Sequence, residues 1–239
     1  MPALLTRSAR GTLWRYNRIV LCVEFHCHTE HSKDSLTSPQ ALVAACHRKG
    51  IDRVVVTDHN TITGAQLARQ IDPDLVIVGE EIMTTAGELL AAFVQEQVPA
   101  GLSPLETIRL LKEQEAFISV SHPFDVFRSG HWELADLLAI LPEVDAIETF
   151  NARCMLPQFN ARALDFARRH ELPGTVGSDA HAGVELGRAL LRLADFTDAA
   201  GLRACLPAGT PRVRWSPPWF HLLSRYAVLH KRWSRTRRP

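Results

Sequence analysis

The chain has 239 residues, 46% of them hydrophobic and 22% charged, with a formal net charge of +1. That length and mix exclude a disordered or low-complexity chain and suit a globular body with a sizeable core. No apolar run reaches the roughly 20 residues that a membrane-spanning helix needs, and the five cysteines lack the tight spacing of a disulfide framework.

The charge is unevenly placed. No acid precedes Glu24 and none follows Asp198, while residues 7–18 carry four basic side chains and residues 212–238 carry eight. The stretch between holds the other 15 basic residues against all 26 acids, a net of −11. An acidic body with basic ends suits a cation-binding centre. The opening MPALLTRSARGTLWRYNRIVLC scatters its arginines instead of following them with a continuous apolar centre, so it does not read as an export signal. The expected organisation is an N-terminal extension over 1–22, a body over 23–211 and a basic amphipathic tail over 212–239, in a reducing, cytoplasmic setting.

Along the chain, a short strand over 19–23 leads into Phe25-His26-Cys27-His28-Thr29-Glu30-His31-Ser32-Lys33-Asp34. On a strand, residues two apart share a face, so His26 and His28 point one way and Cys27 turns into the core. Ser38-Pro39 starts a helix that Gly50 ends. A β-branched strand over 53–57 stops at Asp58-His59-Asn60, and a helix follows over 64–70. The next buried strand, 75–78, ends at Gly79-Glu80-Glu81, and residues 89–94 add another after the turn at Ala86-Gly87. Ser103 with Glu106 forms a capping-box pattern at the head of a helix running to about residue 115. A strand over 117–120 ends at Ser121-His122-Pro123. After a helix over 134–141, a strand over 146–150 ends at Asn151. A helix over 160–170 leads to a strand over 174–177 ending at Ser178-Asp179-Ala180-His181, and a strand over 189–193 with a helix near 198–205 closes the body. Repeated strand–cluster–helix units predict a parallel sheet rolled into a closed or nearly closed barrel. In such barrels the chemistry sits at the C-terminal strand ends, where each polar cluster falls.

The clusters hold His26, His28, His31, Asp34, Asp58, His59, Glu80, Glu81, His122, Asn151, Asp179 and His181. Converging carboxylates would repel one another unless cations neutralised them. Imidazole and carboxylate without thiolate favour Zn, Mn or Fe. His47, His131, His170, His221 and His230 lie away from strand ends and read as helix or tail residues. Leu222, Leu223 and Tyr226 in the basic tail stand at helical spacing, as for a segment that docks on the barrel, binds a partner or lies on an anionic lipid surface.

His26-x-His28, Thr57-Asp58-His59-Asn60, Gly79-x-Glu81, Ser121-His122-Pro123 and Ser178-Asp179-x-His181 occur in that order. Over roughly residues 23–188 this resembles the polymerase and histidinol phosphatase (PHP) superfamily of metal-dependent phosphoesterases. The resemblance implies an α/β fold, a distorted (β/α)7 TIM-like barrel, with two or three divalent ions in one pocket. Carried over motif by motif, it implies one ion on His26, His28, Glu81 and Asp179. A second would share Glu81, add His122 and draw on Glu148 or Asn151, where some members have histidine. A third would take Asp34, His59 and His181, with Asp58 either a ligand or an orienting group for His59. The implied activity is hydrolysis of a small phosphate ester, of sugar phosphate, nucleotide or histidinol phosphate type, by a hydroxide held between metals. Arg128 and Arg153 are expected to grip phosphate, ahead of Lys33 and Arg188, and His31 to serve as a leaving-group acid or face substrate. The alternatives are a nuclease acting on nucleic acid ends, as in domains attached to replicative polymerases, and an inactive, metal-stabilised binding module. Oligomeric state is left open.

Overall fold

The structure, a computed structural model, describes residues 20–236. The expected N-terminal extension lies outside the described residues up to position 19; Val20, Leu21 and Cys22 belong to the first strand. Among the described residues no helix is long and apolar enough to cross a membrane.

Strands β1 (Val20–Glu24), β2 (Arg53–Val56), β3 (Val76–Met83), β4 (Glu88–Ala92), β5 (Phe117–Val120), β6 (Ala146–Asn151) and β7 (Gly174–Gly177) lie side by side in sequence order. The two edges meet beyond the named strands. His28 N donates to Ala180 O at 2.8 Å and Ala180 N to His26 O at 3.2 Å, a parallel bridge that closes β1 on β7. Seven strands therefore form a nearly closed barrel. Two more extend the sheet outward from β1: β8 (Ala189–Ala194), antiparallel to β1, and β9 (Thr210–Val213), antiparallel to β8. The sequence reading did not foresee β9, whose residues are all exposed and whose one large apolar side chain is Val213.

The barrel is not wholly parallel. β4 runs antiparallel to both β3 and β5. The reason is local: Thr84 to Gly87 is a tight turn in which Thr84 Oγ1 donates to Gly87 O at 2.6 Å, too short for the crossover that parallel neighbours require. β3 also runs past Val78 to Met83, because Glu80 and Glu81 are buried ladder residues and not a polar strand end.

Alternation sorts the β-branched runs. Val54 and Val56 face the helices, while Val55 faces the barrel interior with Phe25, Ile77, Ala92, Phe117 and Val176. Around the barrel pack α1 (Pro39–Lys49), α2 (Thr63–Ile71), α3 (Pro104–Glu113), α4 (Leu134–Ile140), α5 (Pro157–Arg169) and α6 (Ala199–Cys205). Ser38 caps α1 by accepting from Ala41 N, and Gly50 ends it at φ 63°. Ser103 and Glu106 complete the capping box of α3. α5 starts at Pro157, three residues ahead of the sequence reading, because proline suits the first turn. The tail folds into α7 (Phe220–Thr236), whose Phe220 and Ala227 are buried.

β3 also separates two adjacent carboxylates. Glu81 points to the strand-end clusters, whereas Glu80 faces the other way, where its Oε2 accepts from Val98 N at 3.0 Å and its Oε1 is buried without a hydrogen-bond partner. Burial pushes the Glu80 pKa up to about 7. Below the unfolded value both states are protonated and Glu80 costs nothing. As pH rises from there through 7 only the unfolded state ionises freely, so folding stability falls, and above 7 the loss is complete. Glu80→Gln is expected to raise the melting temperature at pH 8, by up to about 3 kcal/mol of stability, and to leave it nearly unchanged at pH 4. Calorimetry at the two pH values checks this.

Candidate metal centre

At the strand ends His26 and His28 follow β1, His59 follows β2, Glu81 lies on β3, His122 follows β5, and Asp179 and His181 follow β7. The Glu81 carboxylate is the meeting point. Its Oε2 lies 3.2 Å from His26 Nε2, 3.4 Å from His28 Nε2 and 3.0 Å from His59 Nδ1; its Oε1 lies 3.2 Å from His122 Nε2. Asp179 Oδ1 joins from the far side, 3.3 Å from His28 Nε2 and 3.7 Å from His26 Nε2. Asp34 Oδ2 sits 3.1 Å from His181 Nε2 and 3.6 Å from His59 Nε2. The three ligand groups expected from sequence thus lie in one continuous cluster.

The electrostatics follow from that crowding. Burial lowers the His26 pKa, but Glu81, Asp179 and Glu148 outweigh it and carry it well above the ordinary imidazole value. His59 behaves alike, with Glu81 and Asp34 overcoming burial. His28 goes the other way, to about 4, through burial and then the neighbouring His181 and His59 rings. Those rings stand 4.3 and 4.5 Å from it, centroid to centroid. Burial would raise Glu81, yet His26 and His59 hold it well below the usual carboxylate range; Asp179 is held down against burial by Arg128 and His26.

His26 Nε2, His28 Nε2, Glu81 Oε2 and Asp179 Oδ1 are all buried without a hydrogen-bond partner. Leaving such atoms unsatisfied costs roughly 1–3 kcal/mol each, and they face one another. The His26, His28 and Glu81 ligand atoms lie within 4.8 Å of one another, an arrangement of imidazole nitrogens and a carboxylate oxygen that fits a divalent cation, and Asp179 Oδ1 borders it.

A supporting layer fixes the rings. His26 Nδ1 lies 3.0 Å from Glu148 Oε1, leaving Nε2 to face Glu81. Gly177 makes this approach possible, since a Cβ there would fall 2.3 Å from Glu148 Oε1 and 2.4 Å from His26 Cβ. Asp58 accepts from Thr29 N and Thr29 Oγ1, both at 2.6 Å, and from Ser32 Oγ at 2.8 Å. Ser32 Oγ in turn accepts from His59 N at 2.9 Å and lies 3.2 Å from His28 Nδ1. Asp58 therefore ties the histidine loop together and does not reach the cluster. Asn151 meets the cluster through a donor and not a ligand atom: its Nδ2 donates to Glu148 Oε2 and Asp179 Oδ2 at 3.1 and 3.2 Å, and its Oδ1 accepts from Arg153 N at 2.9 Å. Asp179 itself sits in left-handed backbone at φ 50°.

Arg128 Nη2 lies 2.5 Å from Asp179 Oδ2 at the mouth of the centre. Arg153 is more enclosed: it donates to Ser224 Oγ at 2.7 Å and to Asp179 O at 3.5 Å, with His221 Nδ1 3.4 Å away. A cavity of about 550 Å³ opens here, lined by Asp34, Arg128, Arg153, His181, His221 and Ser224 among others. His221, read from sequence as an ordinary tail residue, is thus brought to the mouth by α7. Lys231 of the same helix donates to Glu30 O and Ser32 O in the histidine loop. His31 and Lys33 are exposed on the rim of a smaller hollow of about 340 Å³ beside His59. Arg188 stacks over Phe220, 5.3 Å from its centroid, away from the cluster. A hollow of about 1180 Å³ between Gln66, Phe93, Gln114 and Asp198 lies apart from these residues.

Sequence reasoning missed Glu88. It heads β4, which runs backwards, so its N-terminal end lies beside the C-terminal ends of its neighbours. Glu88 Oε1 lies 3.7 Å from His59 Nδ1 and Oε2 3.5 Å from His122 Nε2. Burial and Glu81 raise its pKa. The signal available was a single acid at the head of the otherwise apolar ELLAA.

The PHP domain family matches residues 24–113 and the PHP-associated family matches residues 157–211. The uncharacterized protein MJ0417 of Methanocaldococcus jannaschii is 33% identical over 177 residues, 73% of this chain and 71% of its own length. In fold, the chain is similar to a two-domain protein of Bacteroides vulgatus containing a predicted PHP-like metal-dependent phosphoesterase, with a TM-score of 0.65 at 21% identity, covering 82% of this chain and 65% of that one. It is also similar to the lesion-specific endonuclease PfuEndoQ of Pyrococcus furiosus, with a TM-score of 0.52 at 14% identity over 84% of this chain and 60% of that one. With its barrel, its ordered ligand clusters and these matches, the chain belongs to the PHP domain family.

Proposed function

We propose that the protein is a metal-dependent hydrolase of small phosphate esters, working in a cytoplasmic setting that suits its five free cysteines. The observation that carries this reading is the set of orphaned ring nitrogens and carboxylate oxygens converging on Glu81, with an arginine at the open side. Two or three divalent ions of the Zn, Mn or Fe kind would supply Lewis acidity there, activating water and neutralising charge on phosphoryl oxygens. Glu81, His26, His28 and Asp179 present ligand atoms on one side; His122 and Glu88 flank Glu81 on a second; Asp34, His59 and His181 form a third. Glu148 and Ser32 hold His26 and His28 in the orientation that keeps their Nε2 atoms inward. Arg128, held by Asp179 and Asp125 but more open to the cavity than Arg153, would bring its positive charge to the phosphoryl group. Arg153 serves mainly as a brace, because Ser224, His221 and the Asp179 carbonyl already engage it. Asn151 and Asp58 act through other residues, and His31 stands at the rim, where it meets substrate and not the ions.

The cavity of about 550 Å³ is of small-molecule size, and α7 walls one side of it. Both features favour a small ester over a polymer. The fold similarity to an endonuclease keeps the nucleic acid reading in the experiment: a phosphate-release screen over monoesters, diesters and nucleotides, run beside single-stranded DNA digestion. Metal-dependent monoester turnover is expected; DNA cleavage without it would replace the reading.

Glu81→Gln is expected to remove most bound metal and to reduce turnover at least about a hundredfold, checked by elemental analysis and phosphate release on the same preparation. A variant with full turnover and no metal would end the proposal. Acid–base linkage gives a further expectation. Against burial, Glu81, with Asp179 and Glu148 around His26 and Asp34 beside His59, shifts both rings toward their protonated forms in the metal-free protein. Ligation needs neutral rings, so metal uptake is expected to release protons and affinity to rise with pH. Calorimetric titration with Zn²⁺ or Mn²⁺ in two buffers of different ionisation enthalpy measures the count.

A further inference from the structure

α7 has two faces. One is anchored: Phe220 and Ala227 are buried, Ser224 Oγ accepts from Arg153, and Lys231 donates to the histidine loop. The opposite face carries Leu222, Tyr226 and Leu229 at 62, 61 and 63% exposure, with Trp219 just ahead of the helix at 55%. The spacing of three and four residues puts all of them on one stripe. Trp233 continues the spacing and is also exposed. An exposed stripe of this kind on a helix about 25 Å long is unusual on a monomer surface and marks an interaction site.

Charge selects the occupant. Arg225 and Arg232, seven residues apart, flank the stripe on one side, and no acid occurs after Asp198. Two copies packed stripe to stripe would bring arginines together with no carboxylate on either helix to pair them. A single nucleic acid strand would use the aromatic rings but gain nothing from the two leucines. An anionic bilayer satisfies every group: leucines enter the acyl boundary, Trp and Tyr suit the headgroup level, and arginines meet lipid phosphates. Phe127 and Met155, at 67 and 50% exposure, line the same mouth as His221 and Arg225, so apolar surface continues from the helix to the centre's opening.

We infer that the outward stripe of α7 seats the protein, reversibly and without spanning it, on an anionic lipid surface with the mouth of the metal centre close by. This does not depend on the catalytic reading, because it concerns the face of α7 turned away from the barrel. The test is sedimentation of the full chain with vesicles of phosphatidylcholine mixed with phosphatidylglycerol, and with vesicles of phosphatidylcholine alone. Binding is expected to the mixed vesicles, weaker by about tenfold without the anionic lipid and weakened by salt. Leu222→Asp with Leu229→Asp is expected to reduce partitioning at least about tenfold while circular dichroism and metal content stay unchanged. Arg232→Glu, which alters charge and leaves the apolar stripe intact, is expected to weaken binding to the mixed vesicles alone. Absence of binding by the native chain would overturn the inference. So would equal binding by the double variant, or a dimer in analytical ultracentrifugation that the double variant dissolves.

Discussion

The structure depends on one buried carboxylate. Both oxygens of Glu81 are ringed by imidazoles delivered from three different strand ends, His26 and His28 from β1, His59 from β2 and His122 from β5. A carboxylate in that position, fully out of water, is tolerable only because positive charge surrounds it, whether protons on the rings or cations among them. Glu148 and Ser32 help to keep the His26 and His28 rings pointed inward.

The barrel performs this by placing strand ends within a few ångströms of one another, with hydrogen bonds continuing past the formal strand limits. Bridges between Cys27 and Ala180 and between His59 and Glu81 carry the ladder into the ligand segments themselves. The clustered side chains therefore hang on paired backbone and not on free loops, which is why small supporting contacts suffice to set ring orientation. The reversed strand adds something a regular barrel lacks. Its leading residue, Glu88, enters the centre directly from a ladder position, with its N–H donating to Gly130 O and its carbonyl accepting from Ser121 N and the Trp132 indole.

Much of this was legible beforehand. Two-residue spacing put His26 and His28 on one face, β-branched runs marked the buried strands, and Ser-Pro pairs marked two helix starts; all rest on short-range rules that tertiary packing did not override. What stayed hidden needed distance. The reversal of β4 turns on a four-residue turn whose chemistry, a threonine bonded across to Gly87, resembles any polar loop in one dimension. Glu88 was concealed by the same reversal, since strand-end reasoning looks at C-terminal ends alone. Asn151 occupied a position where a ligand is expected, and only its hydrogen bonds show that its amide nitrogen faces the carboxylates. His221 lies some seventy residues from Arg153 and meets it only through the docking of α7.

The backbone at Asp179 narrows what that position tolerates. Its φ of 50° belongs to a region that asparagine and aspartate visit more readily than other side-chain-bearing residues. Glutamate or histidine would also offer a polar atom to the cluster, but each would bring the steric penalty of left-handed geometry. Chain conformation thus limits what the position accepts independently of any charge it supplies to the cluster: a substitution there must suit both the left-handed backbone and the Arg128 and His28 contacts.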